Sequence, residues 1–213
     1  MKLLRAEHEN ERITSASSGR LTPHADAPQR WAALCTLSAS HIAKGKERDG
    51  PTGLAGCREM SNEVRLRNIE PDDLPIFYEQ QLDADATRMA AFPSRDRAAF
   101  DAHWATNILG NPAAVNQTIL VDGQVAGHIG SWTQDGVRLV GYWIGKEHWG
   151  KGVATRALAA FLHLVTERPL YAHVAKHNVG SIRVLEKCGF SLEREEGVEV
   201  AGKDVAELVL VLR

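Results

Sequence analysis

The sequence predicts a mixed α/β (α+β) domain over residues 60–213, a mostly antiparallel twisted sheet flanked by helices, behind an N-terminal extension of residues 1–59. Three observations carry this reading. Runs that alternate apolar and polar residues are joined by the hairpin signals Asp122-Gly123 and Gln134-Asp135-Gly136. Between residues 140 and 174 a β-type run, a strongly periodic helix and a second β-type run follow one another, the pattern of a crossover unit that is right-handed on general grounds. From Glu11 to Glu59 Ser, Gly, Pro and mixed charges surround a single short apolar stretch, residues 31–37, too little to offset the entropy of ordering the segment.

Composition narrows the function. With 213 residues the chain can bury a sizeable core in one domain with a tail or in two small domains, and 44% hydrophobic with 24% charged residues is ordinary for a globular protein. A formal charge of −2 provides no overall basic field for nucleic acid or a membrane surface, and no apolar run reaches the roughly 18 residues of a spanning helix. Cys35, Cys57 and Cys188 have neither paired-framework nor metal-ligand spacing, so no metal and a reducing cytoplasm are expected. Residues 1–4 are too short for a secretory signal, and Glu7, Glu9 and Glu11 argue against a transit peptide. The extension therefore reads as a disordered segment or an upstream mis-start ahead of a native initiator at Met60, with a regulatory tail as the rival.

Val64, Leu66 and Ile69 alternate as a first strand. Glu70-Pro71-Asp72-Asp73 is a helix start, followed by Leu74, Phe77, Tyr78 and Leu82 at helical spacing. A second helix is expected from near Ser94, with Phe100, Trp104 and Ile108 on its buried face. Residues 117–121, 124–132 and 137–145 form an antiparallel meander. Ala154, Ala157, Leu158, Phe161, Leu162 and Val165 make the apolar stripe of the next helix, and 169–174 is the returning strand. Asn178 suits the N-cap of a short helix through Lys187, with Gly189 as its left-handed terminator and Phe190 as the contact beyond it. Strands at 198–200 and 205–212, turning at Ala201-Gly202-Lys203, close the sheet.

The stretch Trp149-Gly150-Lys151-Gly152-Val153-Ala154-Thr155-Arg156-Ala157-Leu158 carries the chemistry. Two glycines one residue apart let the backbone approach a ligand, and a helix beginning there aims unpaired N–H groups and its positive dipole end at the same point, as phosphate oxygens require. The same residues also fit a tight turn with a solvated lysine. About two dozen residues later comes Asn178-Val179-Gly180-Ser181-Ile182-Arg183-Val184-Leu185-Glu186-Lys187-Cys188-Gly189-Phe190.

Together the two stretches resemble the GNAT N-acetyltransferase family over residues 64–213, and within it the branch that acetylates ribosomal-protein N-termini (RimJ/RimL-like) and its small-molecule relatives. The resemblance implies acetyl-CoA as acyl donor. Backbone N–H groups of Lys151, Gly152, Val153, Ala154 and Thr155 would face its pyrophosphate, with the Thr155 hydroxyl and the Lys151 charge adding to the grip. The family's pattern is Gln or Arg, two residues, Gly, one residue, then Gly or Ala. Gly152 and Ala154 match it, whereas Trp149, just before Gly150, stands where the polar residue is usual and leaves the phosphates more dependent on the backbone. Tyr142, Trp143 and Ile144 would lie beside the pantetheine arm, or be ordinary sheet residues. Asn178 would hold the arm as well as cap its helix, and Ser181 would contact the coenzyme and donate to the leaving thiolate, since the tyrosine used one turn further along is absent here. Arg183, Lys176 and Lys187 would neutralise the 3′-phosphate, or be solvated charges.

Amine deprotonation has only a weak candidate, His128 on a strand, which equally reads as a structural histidine; Glu147 and His148 lie beside the turn. Cys188 has no activating neighbour in sequence, so direct attack by the amine is preferred to a covalent acyl-enzyme. The expected function is transfer of an acetyl group to a primary amine of a small molecule or a protein N-terminus. A non-catalytic acyl-CoA sensor is the alternative. The first two helices would wall the acceptor site, where Asp83 and Asp85 could attract a cationic amine. By analogy a homodimer through the last strands is open.

Overall fold

The structure, a computed structural model, describes residues 62–213; the expectations for residues 1–59 and for Met60 as initiator lie outside the described residues. The elements run β1 (Val64–Asn68), α1 (Leu74–Leu82), α2 (Ala84–Ala90), α3 (Arg97–His103), β2 (Val115–Val121), β3 (Gln124–Gln134), β4 (Val137–Ile144), α4 (Val153–Phe161), β5 (Leu170–Ala175), α5 (Val179–Lys187), β6 (Ser191–Val200) and β7 (Lys203–Leu212). The seven strands form one sheet in the order β1-β2-β3-β4-β5-β7-β6, in which β4 and β5 are the parallel pair.

Turn chemistry sets the meander. Asp122 and Gly123 have φ of 49° and 83°, and Asp135 and Gly136 have 52° and 76°, the paired positive values of a turn whose twist matches a two-residue hairpin. Ala201 and Gly202 (50° and 75°) repeat the device between β6 and β7. On one face of the sheet α4 buries Val153, Ala157, Leu158 and Phe161 in a continuous core with Ile119, Ile129, Val140, Tyr142, Leu170, Ala172, Val174 and Leu210, joined by Val184 and Leu185 of α5. The opposite face carries two smaller clusters. Phe77 meets Phe100, Trp104 and Ile108, and Trp143 meets Ala86 and Ala90.

Several boundaries differ from expectation. A 3₁₀ turn, Pro71–Asp73, precedes α1, and the buried positions of α1 are Phe77 and Gln81 rather than Leu82, which is 44% exposed. Gln81 replaces an apolar contact with a pair of hydrogen bonds: its Nε2 donates to Arg95 O (3.0 Å) and its Oε1 accepts from Arg95 N–H (3.3 Å). An unforeseen helix, α2, is capped by the Asp83 carboxylate, which accepts from Asp85 and Ala86 N–H at 2.9 Å each. The next helix begins at Arg97 under an Asp96 cap, not near Ser94, and its last turn, Trp104–Leu109, widens to a π-helix that keeps Phe100, Trp104 and Ile108 on one side. β6 is a ten-residue strand, although 198–200 alone read as one, because its charged residues face solvent while pairing with β7 supplies its backbone bonds.

No helix of the described residues is long and apolar enough to cross a membrane.

Candidate active site

The parallel strands β4 and β5 pair only at Arg138↔Leu170 and Leu139↔Tyr171 and then diverge, leaving an opening between Val140–Ile144 and Ala172–Ala175 whose facing backbone groups have no ladder partner across it. At the mouth of this opening β4 ends, a 3₁₀ turn spans Lys146–His148, and the glycine stretch leads into α4. Gly150 and Gly152 both take left-handed φ, 73° and 70°, which glycine adopts without strain. Gly152 is the N-cap, and no side chain caps the helix, so its first-turn N–H groups are available to an anion.

A cavity of about 220 Å³ sits over these N–H groups. Ile144, Trp149, Gly150, Gly152, Val153, Ala154 and Thr155 line one wall with His148, and Arg183, Val184 and Lys187 of α5 line the other. Lys151 lies in the same turn, exposed and outside the lining. Lys176 lies elsewhere, bonded to the Glu195 carboxylate at 2.7 and 2.9 Å. The wall thus combines backbone donors with two cations, a phosphate-binding arrangement.

Trp149 anchors the turn: its indole N–H donates to Ile144 O (2.8 Å), tying the start of the turn to the last residue of β4. A role in geometry stands where a polar side chain was expected.

Tyr142, Asn178 and Ser181 form a buried polar cluster at the base of the opening. Tyr142 OH and Ser181 Oγ are 3.0 Å apart, and Asn178 Oδ1 accepts from Ser181 N–H (3.1 Å), the expected helix cap. Burial pushes the Tyr142 hydroxyl well above its ordinary value, against a smaller opposing effect of the Ser181 hydrogen bond. Asn178 is fully buried, and its Nδ2 has no hydrogen-bond partner. An orphaned donor of this kind costs about 1–3 kcal/mol unless a ligand or water accepts from it. Trp143 points to the other face, where its Nε1 is also buried without a partner beside α2.

His128 is held in the core between Phe77 (ring centroids 4.7 Å apart) and Trp104 (5.0 Å). Burial, with a small contribution from His103, lowers it to about 3, so it is neutral throughout the physiological range. His148 is also lowered, by burial first, and Glu147 is exposed 3.5 Å from it. Asp83 is committed to capping α2, and Asp85 binds Lys146 (2.5 Å) and Arg88 (2.6 Å), which together hold it at about 2. Neither is a free anion waiting for a cationic amine. The Cys188 thiol is raised by burial and lies 3.6 Å from Thr155 O, an inert packing position.

One group escaped sequence reading. His173 on β5, Glu207 on β7 and Glu196 on β6 offer ligand atoms within 4.8 Å of one another. The His173 Nδ1–Glu207 Oε2 distance is 2.8 Å and that to Glu196 Oε1 is 3.5 Å. The signal was a glutamate inside the apolar run 205–212, but only the β5-β7-β6 order brings it to a histidine.

The acetyltransferase (GNAT) domain model matches residues 63–191. This chain belongs to the GNAT acetyltransferase family. The GNAT fold is shared with an acetyltransferase of that family from Bacillus anthracis, at 18% identity, TM-score 0.61, covering 72% of this chain and 96% of that one. It is also similar to spermidine N-acetyltransferase from Vibrio cholerae in complex with CoA and spermine (18% identity, TM-score 0.59, 70% and 95% covered). An aminoglycoside acetyltransferase in complex with coenzyme A gives the same picture (18% identity, TM-score 0.57, 70% and 95% covered). No curated protein matches the chain significantly. At these identities the likeness to solved structures is one of fold. Within the GNAT domain, the glycine turn and its cavity fall inside the matched residues, whereas Glu196 and Glu207 lie beyond them.

Proposed function

We propose that this GNAT chain transfers the acetyl group of acetyl-CoA to a primary amine, of a small molecule or a protein N-terminus, by direct attack of the amine on the thioester. The observation that carries the reading is the pairing of an uncapped helix start, led in by two left-handed glycines, with Arg183 and Lys187 across one cavity, at the mouth of the β4–β5 opening. The pyrophosphate would take the N–H groups of Gly152, Val153, Ala154 and Thr155 and the Thr155 hydroxyl, with Lys151 adding charge. Arg183 and Lys187 would neutralise the 3′-phosphate. The pantetheine arm would run into the opening past Ile144, with Trp143 on its acceptor side. Asn178 Nδ2 is the buried donor it would satisfy, which makes Asn178 a positioning residue for the thioester. Ser181, already bonded to Tyr142, would reach the leaving thiolate only by exchanging that partner.

His128 belongs to the core in this reading, because a neutral imidazole lowered to about 3 and packed between two aromatic rings is a poor proton acceptor at pH 7. Inert Cys188 leaves the amine as the attacking group. Spermine and aminoglycosides occupy fold relatives, and a polyamine, an aminoglycoside or a peptide N-terminus is each an acceptor to try. The peptide branch, RimJ/RimL-like, is favoured by Trp149 at the position where Gln or Arg is usual in the family.

Calorimetric titration of the full chain with acetyl-CoA and with dephospho-CoA tests the grip: tight binding of the first and about tenfold weaker binding of the second are expected. Release of free thiol with an amine panel tests the chemistry. Binding without amine-dependent thiol release would make the protein an acyl-CoA sensor, and no binding at all would remove the reading.

A further inference from the structure

We infer that His173 Nε2 is the base that takes the proton of the acceptor amine, with Glu207 as its positioning residue. The inference rests on the acetyltransferase reading above. β4 and β5 are last paired at Leu139↔Tyr171, and two residues further on Gly141 is level with His173, both on the face that carries α2 and Trp143. Glycine brings no side chain there, so of the two strands bordering the opening at this level only β5 contributes a functional group.

That group is already oriented. A carboxylate only accepts, so the 2.8 Å contact is a hydrogen bond from His173 Nδ1–H to Glu207 Oε2, which fixes the tautomer with the lone pair on Nε2. Glu207 is 6% exposed and stands directly opposite Glu196 across β6 and β7. Glu196 lies 3.5 Å from the same Nδ1 and also binds Arg194 Nε at 3.1 Å. Both acids lie against the Nδ1 edge of the ring. The other described histidines do not offer this. His103 and His128 are buried and lowered to about 4 and about 3, His148 lines the phosphate cavity, His163 follows α4 on the opposite face, and His177 Nε2 is 3.0 Å from Arg88 O.

The step balances without a further reactant. The ammonium proton passes to Nε2, and the freed nitrogen pair attacks the thioester carbonyl carbon. A C–N bond forms as the C–S bond breaks, the thiolate leaves with the electron pair, and the second proton of the attacking nitrogen passes through water to the thiolate. The imidazolium then returns its proton to solvent.

The test compares nucleophiles in the full chain: the amine that the wild type acetylates fastest among spermidine, kanamycin and a peptide with a free N-terminus, and hydroxylamine, which is already neutral at pH 7. His173→Gln is expected to lower kcat/KM for the amine about 100-fold, within the range of general-base catalysis, while the acetyl-CoA Kd and the hydroxylamine rate stay within about threefold. Glu207→Gln should lower the amine rate about tenfold with the same selectivity. Equal losses with both nucleophiles, an unchanged amine rate, or a wild type that acetylates hydroxylamine but no amine of the panel overturns the inference. So does wild-type activity that chelation abolishes and Zn²⁺ restores, because His173, Glu196 and Glu207 would then be metal ligands. A wild type that binds no acetyl-CoA defeats the acetyltransferase reading itself, a result distinct from all of these.

Discussion

The two faces of the sheet are built on different principles. Under α4 and α5 lies a single apolar core in which the buried residues are aliphatic or aromatic almost throughout; of its polar exceptions, Tyr142, Asn178 and Ser181 bond among themselves, while the buried Ser131 hydroxyl, beside Val140, has no partner. Under α1, α2 and α3 the apolar contacts break into two small clusters, and between them sit Asp73, Gln81, His103, Thr118 and His128, with Glu207 at the far edge. The first face holds the start of α4 against β4 through the core and the Trp149–Ile144 hydrogen bond, the arrangement the proposed phosphate grip would use. The second is held by directional polar bonds, such as those of Asp73 and Gln81.

The contrast can be broken from either side. Leu158→Ala empties a fully buried site in the continuous core and should cost about 4 kcal/mol of unfolding free energy, read from denaturant midpoints. On the other face Asp73 takes 2.6 and 2.7 Å bonds from Arg67, 2.6 Å from Thr118 and 2.9 Å from the Glu70 N–H. Burial alone would raise its carboxyl, but these bonds outweigh it and hold it below the usual carboxylate range. Asp73→Asn should therefore cost about 3 kcal/mol at neutral pH. Because the folded-state pKa is depressed, that contribution is present above pH of about 4 and is lost as pH falls through the folded value. Wild type and variant should converge in stability toward strongly acid pH.

Gly152→Val puts a β-branched side chain at φ +70° in the grip, with its Cβ 3.1 Å from Arg156 Nη1. Affinity for acetyl-CoA should fall about 100-fold, a loss of about 2.7 kcal/mol in calorimetry, while most of the apolar core is left intact. The smallest effect is a change of slope. His128 is neutral in the fold, whereas in the unfolded chain it titrates near its ordinary value of about 6.5. The unfolded state thus binds more protons below that value, and stability declines as pH falls from about 6.5. His128→Phe, packed by Phe77 and Trp104, should flatten the decline between about pH 6 and 4 in a series of urea midpoints.

How much could be read from the chain follows the same division. The glycine turn, the α4 stripe and the Asn178 cap are local: Gly152, Ala157 and Asn178 act on neighbours within a few residues, and short-range periodicity and cap chemistry were enough to find them. The face under α1, α2 and α3 was not legible in that way. Leu82 fits the helical stripe but is exposed while Gln81 is buried, because Arg95, fourteen residues away, supplies its partners. The short α2 follows from Asp83 acting as a cap within a stretch of weak periodicity. His128 and His173 look alike in sequence, each on a strand with apolar neighbours, and nothing local separates them.

By itself the sequence determined the meander, the crossover helix with its glycine start, and the family to which these point, since each depends on backbone conformations that particular residues enforce at fixed spacing. Only the tertiary structure decided which histidine is walled in by Phe77 and Trp104 and which meets Glu207, where β4 and β5 part, and which lysine reaches the cavity. Those outcomes turn on strand order and on side chains brought together from distant parts of the chain, and burial and charge at a site are properties of that assembly rather than of any residue in it.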